Sequence, residues 1–220
     1  MNERNFKNTL FNEFARIGKC LSSPKRLEIL DVLTQGPKSV ESISKITSMS
    51  LANVSQHLQT LYQAKLVDSQ KRGNFVFYKL SDPSVLSFLN ALYDLSESQL
   101  VEVQHLKEQF LGQISDVEGI TLEELTKRME NGEVTLIDVR PVDEYEAAHI
   151  PGAISVPIEE LAEQLSALPL KNKVVAYCRG PYCLMAIKAL ELLKAKGFEV
   201  SRLDKSVHDW NNFVQENLRL

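Results

Sequence analysis

The chain has little of what secreted, membrane-spanning or metal-holding proteins depend on. Three cysteines among 220 residues are too few for a disulfide scaffold and suit a reducing, cytoplasmic setting. No apolar run approaches the roughly 20 residues of a membrane helix, and no signal-peptide pattern opens the chain, so no membrane partner is expected. Low-complexity tracts and internal repeats are missing as well. Histidine is scarce, with four in all. Asp94 and His105 lie about three helical turns apart, too far to share an ion within one chain. Neither a metal nor any other cofactor is expected. What remains is a chain that is 44% hydrophobic and long enough for two domains of about a hundred residues, each able to bury a core.

Charge divides the chain in the same way. Residues 1–80 hold twelve Lys and Arg against six Asp and Glu, a balance of +6, whereas residues 113–220 hold twelve against eighteen, a balance of −6. The formal charge of −4 therefore hides a basic N-terminal half, suited to phosphate, and an acidic half that a duplex would repel.

The basic half has a helical rhythm. Pro24 opens a helix carrying Leu27, Leu30 and Leu33, Val40–Ile46 makes a short second one, and Ser50 caps a third over Leu51–Gln63. The last two, joined by a tight turn, form a helix-turn-helix pattern. Val54, Leu58 and Leu61 lie on one face of the third helix. Asn53, Ser55, Gln56, His57 and Gln59 lie on the other, side chains suited to base edges in a major groove. Leu66–Asp68 and Phe75–Leu80 then flank Lys71-Arg72-Gly73-Asn74, a β-hairpin whose basic turn can touch phosphate. Pro83 to about Leu111 reads as one long helix. Its Val85, Leu86, Leu89, Leu92, Leu100, Val103, Leu106 and Phe110, with Phe6, Leu10, Phe14 and Ile17 of an N-terminal helix, suggest a homodimer seam. The segment 112–119 reads as the linker.

In the acidic half the informative stretch is Val174-Val175-Ala176-Tyr177-Cys178-Arg179-Gly180-Pro181-Tyr182-Cys183. An apolar run reads as a buried strand, Gly180-Pro181 forces a tight loop, and Leu184–Lys196 has helical spacing. Cys178 therefore sits where strand turns into helix. Loop N–H groups and the positive end of the helix dipole converge there, favour thiolate over thiol, and make Cys178 a candidate nucleophile with Arg179 beside it. Cys183 reads either as a resolving thiol or as a small apolar filler of the first helical turn.

These segments resemble two known families. Pro24–Leu30, Val54-Ser55-Gln56-His57-Leu58 and Tyr78-Lys79-Leu80 resemble the ArsR winged-helix repressors over roughly residues 8–110. The Cys178 loop, with Asp138-Val139-Arg140, Glu144-Tyr145 and His149-Ile150-Pro151-Gly152-Ala153-Ile154, resembles rhodaneses, sulfurtransferases that carry sulfane sulfur as a cysteine persulfide, over 117–220. The six-residue loop from Cys178 to Cys183 is similar in size to those of sulfur-transferring rhodaneses rather than the longer loops of related phosphatases. Cys183 stands where many rhodaneses have a second Arg, so one fixed charge for thiosulfate is absent. Lys65 replaces a usual Gly after the recognition helix, and Leu203-Asp204-Lys205-Ser206 replaces a glycine-rich turn before Trp210; both imply local backbone strain. The Cys-x-Cys metal site of ArsR relatives is missing from Ser42-Ile43-Ser44-Lys45-Ile46. His149 belongs to the rhodanese structural motif. Cys20 reads as packing, or as an acceptor of sulfur from Cys178.

The expected fold is therefore a mainly α winged helix-turn-helix domain (1–112) followed by an α/β rhodanese-like domain (117–220) with a parallel sheet. The expected function is a DNA-binding repressor whose second domain forms a persulfide at Cys178, held by Arg179 and the loop Gly180, Pro181, Tyr182 and Cys183, and which responds to sulfur or redox state. Its expected partners are double-stranded operator DNA, contacted through residues 53, 55–57 and 59 with Lys71 and Arg72, a second copy of itself, a sulfane sulfur donor such as thiosulfate, and a thiol acceptor. Two alternatives stay open. One is a sulfurtransferase that keeps the winged helix mainly for dimerisation; the other is a redox-sensing regulator whose rhodanese fold no longer turns over.

Overall fold

A computed structural model describes residues 2–111, 117–165 and 172–218, and the chain divides into two compact units, Met1–Gln99 and Leu100–Leu220. The first runs α1 (Glu3–Leu21), α2 (Pro24–Leu33), β1 (Lys38–Ser39), α3 (Val40–Thr47), α4 (Leu51–Gln63), β2 (Val67–Arg72), β3 (Phe75–Leu80) and α5 (Pro83–Gln99). Each start has a local cause. Ser23, Ser39 and Ser50 accept from the backbone N–H three residues on, at the heads of α2, α3 and α4, satisfying amides the helix itself leaves unpaired. Ile29, Leu30, Ile43, Val54, Leu58, Leu61 and Leu89 close one core.

Two turns of this unit place ordinary side chains in the left-handed region. Ser48, between α3 and α4, has φ 53°, and Lys65, after α4, has φ 62°. Lys65 N–H reaches Tyr62 O at 3.0 Å and Leu66 N–H reaches Leu61 O at 3.0 Å, the paired bonds of a Schellman ending that usually takes glycine. The strain implied at Lys65 is thus present. At residues 203–206 it is not: no described residue there has positive φ. Ser206 instead caps a helix with φ −87° and ψ 171°, which any residue adopts.

β2 and β3 pair antiparallel from Val67↔Leu80 to Arg72↔Phe75, and β1 joins the free edge of β3. Lys71 and Arg72, expected in the turn, lie inside β2, and the turn itself is Gly73-Asn74, with Gly73 at φ 60°, the two-residue connection that matches strand twist.

The expected long helix is two. α5 stops at Gln99 and α6 (Val101–Leu111) begins beyond Leu100. Ser96 Oγ donates to Leu92 O at 2.8 Å and Ser98 Oγ to Leu95 O at 2.9 Å, and such bonds compete with the helical ladder. The seam residues also need correction: Val85 and Leu89 belong to the core of the first unit. Phe6, Phe11, Phe14, Phe88 and Leu95 stay exposed. The side chain of Phe110 and most of the 112–119 linker lie outside the described residues. Gly119, expected in the linker, already forms a parallel bridge with Arg202.

The second unit continues with α7 (Leu122–Glu130), β4 (Val134–Asp138), α8 (Val142–Ala147), β5 (Ile154–Ser155), α9 (Leu161–Gln164), β6 (Lys173–Tyr177), α10 (Leu184–Ala195), β7 (Val200–Arg202) and α11 (Val207–Asn217). Its four strands are parallel, in the order β5-β4-β6-β7. Both faces are covered, which is why β4 and β6 read as apolar runs rather than alternations. Successive residues serve opposite cores. Ile137, Val174 and Ala176 meet Ala189, Leu190 and Leu193 of α10, while Leu136, Val175 and Tyr177 meet Leu125 of α7 and Trp210 of α11.

Candidate thiol site and DNA-reading face

The carboxyl ends of β4 and β6 lie side by side, Asp138 opposite Tyr177, the end of a parallel sheet where sites form. A buried network makes this end rigid. Arg140 Nε donates to Asp138 Oδ1 at 2.9 Å and its Nη2 to Oδ2 at 2.6 Å and to Ala148 O at 2.7 Å. Tyr177 Oη donates to Asp138 Oδ2 at 2.6 Å and accepts from Ile150 N–H at 3.1 Å. Burial and the neighbouring Asp138 carboxylate hold the phenol well above its ordinary pKa, so it remains a donor. Tyr145 donates to Ala153 O at 2.9 Å and stacks on His149 at 3.9 Å. The Asp-Val-Arg and His-Ile-Pro-Gly-Ala segments thus act through structure, locking the floor beneath the loop.

Cys178 follows β6 directly and is 2% exposed. The loop curls back: Cys183 N–H reaches Gly180 O at 3.2 Å, and Gly180 has φ 129°, a conformation that favours glycine. Arg202 Nη2 donates to Pro181 O at 2.9 Å and pairs with Asp204, tying the loop to the end of β7. Tyr182 is exposed. Cys183 is the N-cap of α10, and no disulfide joins it to Cys178.

Cys178 Sγ donates to Cys183 O at 3.6 Å and to Gly180 O at 3.9 Å, so the two cysteines lie close enough to influence each other's ionisation. Burial, then the Cys183 partner, raises Cys178 well above the ordinary thiol value, although the N–H groups of Ala186 and Gly180 oppose this. Cys183 is lowered to about 6, first by the hydrogen bond from Cys178, then by the N–H groups of Arg179 and Met185 and the charge of Arg179. The sequence places the thiolate on Cys178. In the structure burial works against a charge on Cys178, while its neighbours favour one on Cys183.

Arg179 departs from expectation too. Its Nε and Nη2 donate to Glu144 Oε2 at 3.0 Å and Oε1 at 2.6 Å, and Glu144 is fully buried. The guanidinium therefore anchors the loop to α8, and its charge also favours a thiolate at Cys183. Glu144, quoted in the sequence only as part of a motif, is the missed residue; nothing local marks a carboxylate 35 positions away as the partner of Arg179.

In the first unit, Asn53, Gln56 and Gln59 are exposed on α4, and Ser55 and His57 are half-buried. Gln56 and Gln59 lie opposite Val54, Leu58 and Leu61, as 3.6 residues per turn requires. Gln63, also exposed, continues that row and escaped the sequence reading because it falls at the helix end. In the hairpin, Arg72 is held by Gln70 Oε1 at 3.1 and 2.9 Å and lies over the Phe77 ring at 5.1 Å. Lys71, one residue earlier, projects from the opposite face of the ribbon. Cys20 is packed in the core with its Sγ 3.8 Å from Thr60 O, and burial raises its thiol. Among the described residues no three His, Cys, Asp or Glu side chains gather to hold a metal, and no helix is long and apolar enough to cross a membrane.

Fold and site together define a winged helix-turn-helix joined to a rhodanese-like domain. Residues 23–69 match the bacterial regulatory protein arsR family, and residues 121–213 match the rhodanese-like domain. The chain is 41% identical over 204 residues, 93% of its own length and 89% of the relative's, to the HTH-type transcriptional regulator Rv0324 of Mycobacterium tuberculosis. It is 31% identical over 72 residues to the transcriptional repressor SdpR of Bacillus subtilis, 33% of this chain and 80% of that one. It is also 29% identical over 99 residues to the putative sulfur carrier protein YrkF of Bacillus subtilis, 44% of this chain and 52% of that one. The chain belongs to the ArsR family of DNA-binding transcriptional regulators and carries a rhodanese-like domain behind its winged helix.

Proposed function

We infer that the protein is a cytoplasmic, homodimeric repressor of operator DNA whose rhodanese-like domain carries sulfane sulfur as a persulfide on Cys178. The observation that supports this most is the placement of Cys178 at the carboxyl end of a central parallel strand, within a curled six-residue loop and in contact with a second thiol of lowered pKa. A proton shared between the thiols lets Cys178 ionise when a donor arrives. Its thiolate attacks the sulfane sulfur, the donor's remaining group departs with the bonding electrons, and the N–H groups of Gly180 and Ala186 face the new anion. Winged helix and wing supply the reader: Gln56 and Gln59 for bases, Lys71 and Arg72 for phosphate. The exposed Phe6, Phe11 and Phe14 of α1 and Phe88 of α5 supply the dimer surface.

The test is operator affinity by fluorescence anisotropy, at fixed salt, with the protein fully reduced and fully persulfidated. A regulator of this kind shifts its affinity by about 5- to 150-fold, and Cys178→Ser abolishes the shift while leaving basal binding intact. Equal affinities would mean that the two domains merely share a chain. Sulfur transfer retained in Cys178→Ser would overturn the nucleophile.

A further inference from the structure

Cys183 is chemically placed for more than filling the first turn of α10. Cys178 is 2% exposed, so any external molecule must displace the loop to reach it, and an external acceptor would have to do so a second time after the donor has left. Cys183 is already in contact. The loop is closed on itself by the Cys183 N–H to Gly180 O bond at 3.2 Å, and Cys178 Sγ lies 3.6 Å from the Cys183 carbonyl. The two cysteines are therefore packed together inside one curled loop.

We propose that Cys183 discharges the Cys178 persulfide from within the loop, forming a Cys178–Cys183 disulfide and releasing hydrosulfide. This rests on the reading that Cys178 takes up sulfane sulfur. The Cys183 thiolate attacks the inner sulfur of the persulfide, the bond between inner and outer sulfur breaks, and the outer sulfur leaves as HS⁻ with the electron pair. Both cysteines are oxidised by one electron each, and the sulfane sulfur is reduced by two. No further oxidant is required, because the donor's own sulfur accepts the electrons.

Three features favour this direction. The N–H groups of Arg179 and Met185 and the charge of Arg179, which favour a thiolate at Cys183, stay in place when Cys178 carries the persulfide and favour Cys183 as the attacking group. The N–H groups of Ala186 and Gly180 that face Cys178 Sγ lie beside the bond that breaks and stabilise the negative charge passing to the departing outer sulfur. An arginine at position 183, the residue that the rhodanese resemblance implies, could hold an anionic donor but could not resolve the product. The loop thus converts sulfane sulfur into a covalent state of the protein. A persulfide would be handed on; a disulfide persists until a reductant opens it, and it staples the end of β6 to the start of α10. Arg179 and Glu144 are positioning residues here, since their paired hydrogen bonds hold the loop.

The experiment compares full-length wild type with Cys183→Ser and Cys178→Ser, each given a small excess of glutathione persulfide, alkylated, and mapped by peptide mass. The wild type should lose about 2 Da across the Cys178 and Cys183 peptides and release close to one equivalent of sulfide above a protein-free blank. Cys183→Ser should retain an adduct of about 32 Da on Cys178 and release none. A wild type that keeps the same adduct for as long as Cys183→Ser, with Cys183 still open to alkylation, overturns the inference while persulfide formation stands. No adduct on Cys178 in Cys183→Ser overturns persulfide formation itself. An adduct on Cys183 in Cys178→Ser, formed as fast as the wild type reacts, reverses the two roles and overturns the proposed order.

Discussion

Glu144 grips Arg179 through two hydrogen bonds, 3.0 and 2.6 Å long, across 35 residues of chain. The carboxylate is fully buried at the start of α8, and the arginine is the residue that immediately follows the thiol at the end of β6. The pair decides what the loop's one arginine does. It is a strut for the loop and a source of field at Cys183, and its planar fork matches the carboxylate as lysine could not.

Glu144→Gln removes the carboxylate charge from this pair in a mostly dry site. The rhodanese-like domain should lose about 2–3 kcal/mol, read as a lower denaturant midpoint for the fluorescence of Trp210. Unchanged stability would show that water replaces the pair without cost.

Alkylation of the loop should have a distinctive pH profile. Only the thiolate reacts, so the rate falls as pH drops through about 6, the value to which Cys183 is lowered, rather than near the higher value of an unperturbed thiol. Iodoacetamide labelling of residue 183 from pH 4.5 to 9, followed by peptide mass, gives the curve. Cys178→Ser removes the main cause of the shift and should move the midpoint upward. A midpoint that stays in place would assign the shift to Arg179 and the N–H groups instead.

Lys65 should be replaceable at a gain. It occupies φ 62° at the end of α4, where a Cβ costs about 1 kcal/mol and glycine fits. Lys65→Gly should stabilise the winged helix by up to about 0.5 kcal/mol, after the roughly 0.5–1 kcal/mol of greater backbone entropy that glycine loses on folding is subtracted. A higher melting temperature with unchanged operator affinity is the expected pair of results. Reduced affinity would make Lys65 a phosphate contact.

Substitutions in α4 and in the hairpin should separate reading from holding. Gln56→Ala should lower the ratio of specific to non-specific affinity by about 1–3 kcal/mol, whereas Lys71→Ala should weaken all sequences alike and flatten the salt dependence by one phosphate contact. Arg72→Ala should do the same and also loosen the hairpin, because Arg72 lies over Phe77. Competition titrations at several salt concentrations give both numbers. A Gln56→Ala protein with full specificity would remove that residue from the reading face.

Much of this protein is decided within short windows of sequence. Ser50 caps α4, Pro24 opens α2, and Gly73-Asn74 turns the hairpin, each through bonds spanning about four residues. The apolar run ending at Tyr177, with Gly180-Pro181 after it, places Cys178 between strand and helix for the same reason. Local periodicity and local turn chemistry suffice there, and the order of motifs was enough to name both families. The break at Leu100 is local too, yet apolar spacing alone carries the helix through it, because that spacing does not register the serine back-bonds that compete with the ladder.

What tertiary structure decided was partnership and dryness. Arg179 could have faced an anion, but Glu144 claims it. Val85 and Leu89 have the spacing of a dimer seam, and α5 turns them into the core of the first unit. Cys178 has the address of a thiolate, yet burial works against charge there while the surroundings of Cys183 favour it. Spacing along the chain fixes which residues can share a face. Burial depends on every element that closes over a position, and those elements come from far along the chain.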